Sequence, residues 1–231
     1  MEGDFDRALV EQLQPVFQTE INAREEFFYG AKPWTNGARF ARAQTAAFEK
    51  LDSFIEKNGW PTSLLVGPDV ARKVADLVLN LVTQPSFMRQ SLPVIEQKFR
   101  FGEVPSEVFC LLYDKVMWLE SKPQLFGTFL DWGGDQSLRP LNVFEPSQLD
   151  VRRKGFFLEP HSHFVDRMMS EYSIKGRKPP QDLDLYNTNR DRFLAGIGWP
   201  RNLAPKNVVF PASQDILNSL GGAYEGGDRH L

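Results

Sequence analysis

Residues 59–128 read GWPTSLLVGPDVARKVADLVLNLVTQPSFMRQSLPVIEQKFRFGEVPSEVFCLLYDKVMWLESKPQLFGT, and they are the main evidence for the fold class. Three segments of this stretch carry apolar residues at the 3.6-residue spacing of an amphipathic helix. They run from Pro68 to Thr83, from Pro85 to Gly102 and from Pro105 to Pro123. Proline is favoured at the start of a helix, and glycine or proline beyond its end. The short connections predict that the three helices pack as antiparallel neighbours.

Helical patterns also occur on both sides of this stretch. They cover Asp4–Phe28, Phe40–Asn58, Ser147–Lys154, Pro160–Ser173 and Ala212–Leu220. Pro15 and Pro93 interrupt their segments and predict a kink or a division of the helix. A short strand is predicted at Leu141–Phe144. We therefore expect a mainly α protein, a helical bundle of six to eight helices with an irregular segment after Thr128 and a C-terminal extension.

A basic segment from Lys175 to Pro180, which contains glycine and proline, indicates a boundary near the C-terminal end. We predict a helical domain at residues 1–174, and a linker with an irregular C-terminal extension at residues 175–231. A chain of 231 residues suits this division, because a domain usually holds roughly 100–200 residues.

Composition excludes several classes of protein. The chain is 42% hydrophobic and contains 19 Phe, enough to bury a core. Its net charge of −3 lacks the basic excess typical of nucleic-acid-binding domains, so no nucleic-acid partner is expected. No apolar run approaches the roughly 20 residues of a membrane span, and the acidic start Met1–Asp4 is unlike a signal peptide. A single cysteine fits a reducing compartment, and we expect a soluble cytoplasmic protein.

Cys110 and Asp114 lie one turn apart on the third predicted helix of the central stretch. Cys110 falls between Phe109 and Leu111 on the apolar side, which favours a buried thiol that acts as a small hydrophobe over a catalytic nucleophile. Asp114 is expected to form a salt bridge.

Several short motifs occur along the chain in a fixed order. They are Gly59-Trp60-Pro61, Val66-Gly67, Leu92-Pro93, Gly102-Glu103, Asp114-Lys115, Pro123-Gln124-Leu125-Phe126-Gly127-Thr128 and Asp150-Val151-Arg152-Arg153. With these motifs, residues 36–172 resemble a bacterial, mostly helical family catalogued only as a domain of unknown function. The resemblance implies a helical fold and no particular activity. The chain departs from the family pattern at Phe126, where Tyr is usual, at Lys115, where Arg is usual, and at Asn80 and Thr83, where the family often carries His.

A polar group near the end of the central stretch is the candidate ligand-binding site. Its members are Gln124, Thr128, Asp114, Arg152 and Arg153. Gln124 and Thr128 follow a helix in a loop, where a scaffold positions side chains that remain free to meet a ligand. The arginine pair could hold a carboxylate or a phosphate by bidentate hydrogen bonds. The structural alternative is that Gln124 satisfies backbone groups, Gly127 supplies a turn and one arginine pairs with an acid.

Glu159-Pro160-His161-Ser162-His163 is the single metal-like cluster in the sequence. In an extended segment, Glu159, His161 and His163 could form a site with open positions for water. If Pro160 begins a helix, however, residues two apart do not face the same way. No cofactor can be named from this pattern.

Two functional hypotheses remain open. The first is an enzyme or small-molecule binder with a pocket between helices that takes an anionic ligand, a carboxylate or a phosphate. The second is a non-catalytic accessory module that binds a protein or peptide through an aromatic surface. Trp60, Trp118, Trp132 and Trp199 could line an aromatic pocket or simply fill the core. Phosphate-loop, nucleophile-elbow and zinc-helix motifs are missing from the sequence, so neither a reaction nor an oligomeric state is predicted.

Overall fold

The computed structural model describes residues 6–35 and 37–200. The helices of this part are α1 (Arg7–Tyr29), α2 (Gly37–Asn58), α3 (Ser63–Val66), α4 (Pro68–Asn80), α5 (Pro85–Arg100), α6 (Ser106–Leu119), α7 (Leu149–Gly155), α8 (His161–Ile174) and α9 (Leu183–Gly196), with a 3-10 helix at Pro146–Gln148. The mainly α fold is confirmed, with more helices than the six to eight predicted. The helical pattern at Ala212–Leu220 lies outside the described residues.

The three helices of the central stretch form as predicted, and they are α4, α5 and α6. Pro68 and Pro85 each occupy the first turn of a helix, where a missing N–H costs nothing. Pro15 lies inside α1 and Pro93 inside α5, and neither proline divides its helix. Helix α6 packs against both α4 and α5, and α1 packs along α2 and α4. Helix α6 is therefore central to the bundle and can position the loop that follows it.

One hydrophobic core joins the N-terminal helices to the end of the described chain. Leu51, Leu112 and Leu119 have no exposed surface, and Leu194 of α9 belongs to the same core. Trp199 is also buried there, and its indole N–H donates to the carbonyl oxygen of Val82 at 2.7 Å. The segment after α8 thus packs on the bundle.

The prediction of an irregular C-terminal segment is wrong over Leu183–Gly196, which forms α9. Asp182 caps this helix by accepting a hydrogen bond from the backbone N–H of Leu185 at 2.8 Å. Only Leu194 of α9 is buried. The apolar stripe was therefore too weak to indicate a helix from periodicity alone.

The short strand predicted at Leu141–Phe144 is wrong in position. The two strands of the described part are β1 (Leu130–Trp132) and β2 (Leu138–Pro140), which pair antiparallel. The predicted segment makes only an isolated bridge, between Val143 and Gln124. Strands of three residues are too short to show the alternation by which strands are recognised in sequence. In residues 6–35 and 37–200, no helix has the length and apolar character to cross a membrane.

Candidate functional site

Asp114 on α6 organises the loop at residues 124–128. Its carboxylate has no exposed surface. Oδ1 accepts the backbone N–H groups of Leu125 at 2.8 Å and Phe126 at 3.1 Å, and Oδ2 accepts the N–H of Thr128 at 2.8 Å and its hydroxyl at 2.9 Å. The predicted salt bridge of Asp114 is wrong, because the loop folds back over α6 and satisfies the carboxylate with its own amides.

Burial raises the pKa of Asp114 from 3.8 to about 6, against the opposing effect of these hydrogen bonds. A native pKa above the unfolded value means that the native state binds the proton more tightly. The part of the stability that comes from protonation of Asp114 is therefore complete below its unfolded pKa and is lost as the pH rises through about 6, whereas the loop still donates its hydrogen bonds to the ionised carboxylate. We predict a midpoint of about 6 when the Asp114 carboxyl carbon is titrated by NMR. A midpoint near its ordinary value of 3.8 would show that the hydrogen bonds from the loop fully offset the effect of desolvation on the pKa.

Gln124 is the first residue of this loop, and its side-chain amide makes hydrogen bonds to backbone groups. Its side chain is fully buried. Nε2 donates to the carbonyl oxygens of Phe129 at 2.9 Å and Leu141 at 3.1 Å, while Oε1 accepts the N–H of Phe129 at 2.9 Å. Gln124 thus ties the loop to the segment after the β-hairpin, and its amide is not turned toward a ligand.

Arg152 of α7 also serves backbone groups. It is buried, its Nε donates to the carbonyl oxygen of Leu125 at 2.9 Å, and its Nη2 donates to the carbonyl oxygens of Phe144 and Glu145. These contacts pin α7 onto the loop around Asp114. Because its guanidinium donates to backbone carbonyl oxygens, Arg152 holds α7 and the loop in place and does not bind a ligand directly.

Arg153 also donates to backbone carbonyl oxygens, but it does so through Nε and Nη1, whereas Arg152 uses Nε and Nη2. Its Nη1 donates to the carbonyl oxygen of Phe126 at 2.6 Å, and its Nε donates to that of Glu159 at 2.8 Å. Nη2 makes no hydrogen bond to any residue in the described part of the chain. The guanidinium carbon lies 4.9 Å from the ring centroid of Phe164, a cation–π distance. Two hydrogen bonds therefore hold the Arg153 guanidinium in place, and the two N–H donors of Nη2 are left unused within the described part of the chain.

Arg153 lines a cleft of about 210 Å³. The other lining residues are Glu107, Leu111, Thr128, Phe157, Leu158, Glu159 and Phe164. Sites for drug-sized molecules usually measure roughly 300–1,000 Å³, so this cleft suits a small molecule. The cleft brings together Thr128 and Arg153 of the predicted ligand-binding set. Asp114, Gln124 and Arg152 do not line the cleft, and each makes hydrogen bonds to the loop that contains Thr128.

The structure does not bring Glu159, His161 and His163 together as metal ligands. Within residues 6–35 and 37–200, no group of three or more His, Cys, Asp or Glu side chains could hold a metal ion. The carboxylate of Glu159 pairs with Arg167 at 2.6 Å. His161 and His163 lie two apart on α8, where side chains do not share a face.

His161 is instead packed against the loop that Asp114 holds. A Cβ added at Gly127 would lie 3.3 Å from the imidazole, and the positive φ of 61° also favours glycine there. Nε2 is buried and has no hydrogen-bond partner in the described part of the chain. Burial, reinforced by the nearby charge of Arg153, lowers the pKa of His161. A neutral imidazole therefore forms part of the packing at neutral pH.

Cys110 is buried without exposed surface, as predicted. Burial raises the pKa of its thiol, and the neighbouring carboxylate of Asp114 acts in the same direction. Because the thiolate is the nucleophilic form, this cysteine is unreactive in the folded protein.

Sequence reasoning missed a buried ion pair between the β-hairpin and α9. Nη1 of Arg190 donates to Oδ2 of Asp131 at 2.6 Å, and the hydroxyl of Tyr186 donates to Oδ1 at 3.1 Å. The Asp131 side chain is 4% exposed and that of Arg190 is 11% exposed. The partners are distant in sequence, and Asp131 sits in a turn-like run, so no local signal could have joined them.

A second missed cluster lies between α1, α2 and the end of α4. Gln44 has no exposed surface, and its Nε2 donates to Oε1 of the buried Glu20 at 2.9 Å and to the carbonyl oxygen of Asn80. Its Oε1 accepts the N–H and the hydroxyl of Thr83, each at 3.1 Å. Burial raises the pKa of Glu20 despite the opposing charge of Arg24. Asn80 and Thr83 thus meet at one buried glutamine.

These observations define a helical-bundle protein with a small, partly charged cleft beside a rigid polar loop. Residues 21–177 match the model of a Family of unknown function (DUF6624), and the chain belongs to this family. Comparison with curated proteins and with solved structures gives no match. All residues that line the cleft lie within the matched range, whereas α9 lies beyond it.

Proposed function

We propose that this protein is a soluble cytoplasmic binder of a small ligand that carries a carboxylate or a phosphate. The ligand lies in the cleft lined by Arg153, Thr128 and Phe164. The observation that carries the proposal is the guanidinium of Arg153, which two carbonyl oxygens hold in place while its Nη2 keeps unused donors. A preorganised guanidinium in a small cleft binds one anionic group well, because little side-chain entropy is lost.

The charges around the cleft limit the ligand to one anionic group. Glu159 is neutralised by Arg167, which contacts it at 2.6 Å, and Glu107 is an exposed carboxylate at the rim. A ligand with several negative charges would meet Glu107 without a second cation in the lining. A monocarboxylate or a phosphomonoester suits these surroundings better than a polyphosphate.

The chemistry near the cleft favours binding over catalysis. Cys110 is buried with a raised pKa, and Asp114 is saturated by the loop amides. The imidazole of His161 packs against Gly127. A general base must reach its proton at hydrogen-bond distance. Asp114 is occupied by the loop, and neither Cys110 nor His161 lines the cleft.

The proposal predicts that filling the cleft abolishes binding without unfolding the protein. Leu111 lines the cleft from α6 and is only partly buried, so Leu111→Trp should occupy its volume and leave the contacts of Arg153 intact. Native mass spectrometry of protein purified without chelator, followed by NMR titration with acetate and inorganic phosphate, measures binding. We expect Leu111→Trp to weaken binding about tenfold or more, a loss of about 1.4 kcal/mol or more.

Leu185→Trp is the matched control, because Leu185 is 55% exposed on α9 and does not line the cleft. Leu185→Trp should bind acetate and inorganic phosphate with the affinity of the native protein. If neither anion shifts the amide signals of the cleft, or if Leu111→Trp leaves the affinity unchanged, the proposed site is wrong.

The alternative function is a non-catalytic accessory module that binds a protein or peptide. One observation favours it: Phe157, at the rim of the cleft, is 71% exposed. A partner protein would bury such a side chain as an anchor. A partner that co-purifies in stoichiometric amount and is lost in Phe157→Ala, together with no response to small anions, would favour this function over the first.

A further inference from the structure

The cleft contains unused hydrogen-bonding groups of both charges. Besides the Nη2 donors of Arg153, its lining includes the carboxylates of Glu107 and Glu159. Arg167 donates two hydrogen bonds to Glu159, at 2.6 and 3.0 Å, and both end on Oε1. Oε2 of Glu159 accepts no hydrogen bond from residues 6–35 or 37–200. The cleft therefore offers acceptors on two carboxylates as well as the donors of one guanidinium.

Glu107 is exposed, and its carboxylate has no hydrogen bond or ion pair within the part of the chain that the structure describes. The charge of Glu107 does act on Arg167, whose pKa is raised first by the hydrogen bond to Glu159 and further by Glu107. Arg167, however, already contacts Glu159 at 2.6 Å and Glu171 at 3.5 Å. The carboxylate of Glu107 is therefore available to a ligand.

Arg153 and Glu107 belong to two helices that are tied together beside the cleft. The hydroxyl of Ser106 donates to the carbonyl oxygen of Phe156 at 2.7 Å, which fastens the first turn of α6 to the end of α7. The backbone N–H of Phe156 in turn donates to the carbonyl oxygen of Arg153 at 3.1 Å. Glu107 follows Ser106 and shares a helix face with Leu111, which also lines the cleft. The free carboxylate and the free guanidinium donors thus border one space.

The position of Glu107 in α6 also has a structural explanation. It lies in the first turn of the helix, where the helix dipole favours a negative charge. This effect contributes to stability and is the same whatever the cleft contains. A contact with a ligand contributes to selectivity between ligands, so the two roles can be measured separately.

We propose that the ligand is a small zwitterion, whose carboxylate or phosphate lies at Arg153 and whose ammonium group lies at Glu107. This inference rests on the proposed function and adds the class of ligand. A purely anionic ligand would pair with Arg153 and face two carboxylates. A short amino acid or an aminoalkyl phosphate instead finds a group of opposite charge at each end, and such complementarity gives specificity. A cleft of about 210 Å³ admits molecules of this size.

The test uses pairs of probes that differ only in an ammonium group in place of a methyl group. The pairs are glycine and propionate, β-alanine and butyrate, and 2-aminoethyl phosphate and propyl phosphate. In NMR titrations of the full chain, at least one amino compound should bind about fivefold more tightly than its partner, the gain expected from a partly exposed ion pair. The pair with the largest gain distinguishes a carboxylate from a phosphate ligand.

Glu107→Gln keeps the size of the side chain and removes its charge. It should abolish the preference for the amino compound and leave the affinity for the plain acid unchanged or slightly higher. Its melting temperature should fall by no more than about 4 °C, because only the helix-dipole effect is lost. Glu49→Gln is the matched control, since Glu49 is exposed on α2 and does not line the cleft. It should keep the preference of the native protein.

The outcomes separate this inference from the function on which it rests. If propionate or butyrate binds at the cleft and none of the amino compounds gains affinity, the anion site stands and the zwitterion is overturned. If Glu107→Gln keeps the preference, Glu107 does not contact the ammonium group and the inference is equally overturned. If no probe of either kind shifts the amide signals of the cleft, the proposed function itself fails, and the inference falls with it.

Discussion

Replacing Asp114 with alanine should lower the free energy of unfolding by about 4 kcal/mol or more. The carboxylate accepts three backbone N–H groups and the hydroxyl of Thr128, all in a site without solvent. Each buried donor left unsatisfied costs roughly 1–3 kcal/mol. The total stability of a domain is roughly 5–15 kcal/mol, so the variant should be partly unfolded at room temperature. Urea denaturation followed by circular dichroism at pH 7.5 measures the loss.

Asp114→Asn should be destabilised as well, because the amide NH₂ would face donors that need an acceptor. Asp166→Asn is the matched control, since Asp166 is an exposed helix residue. It should change the stability by less than about 0.5 kcal/mol. A loss below about 1 kcal/mol in Asp114→Ala would mean that water replaces the carboxylate and that the loop does not depend on it.

The second large effect is expected at Arg190. Arg190→Ala should cost about 3–5 kcal/mol, because it leaves the carboxylate of Asp131 buried without its cation. The Asp131 side chain is only 4% exposed, so solvent cannot compensate for the missing guanidinium. Thermal and urea unfolding should both shift to lower values, in one cooperative transition if α9 belongs to the bundle.

Arg192→Ala is the control for this substitution, because Arg192 is exposed on the same helix. It should unfold like the native protein. The double variant Asp131→Asn/Arg190→Ala should recover part of the stability lost in Arg190→Ala, since no uncompensated charge remains. If Arg190→Ala unfolds like Arg192→Ala, then α9 contributes little to the stability of the bundle.

The two largest predicted losses of stability occur at Asp114 and Arg190, and for both residues the environment predicted from the sequence was wrong. Asp114 was expected in a salt bridge and is bound by amides of a loop eleven to fourteen residues later in the chain. Arg190 fell in a segment expected to be irregular. In both cases the partner is set by how the chain folds back, and hydrophobic periodicity carries no information about that.

The candidate site was predicted in part. Gln124, Thr128, Asp114, Arg152 and Arg153 do meet around one loop. The sequence could indicate that these polar residues share a region, because each is too polar for a core position without partners. It could not show that most of the group faces backbone atoms while Arg153 keeps free donors in a cleft. That difference depends on how α7, the segment before α8 and the loop pack around the Arg153 guanidinium.

The helices of the central stretch could be assigned from sequence alone, because their apolar residues recur at 3.6-residue intervals and proline marks their starts. Such signals depend only on residues close together in the sequence, so they identify helices without knowledge of the fold. Tertiary structure alone determined the amide partners of Asp114 and the pairing of Arg190 with Asp131. Those features depend on which distant segments come into contact, and on the low polarity of the space between them.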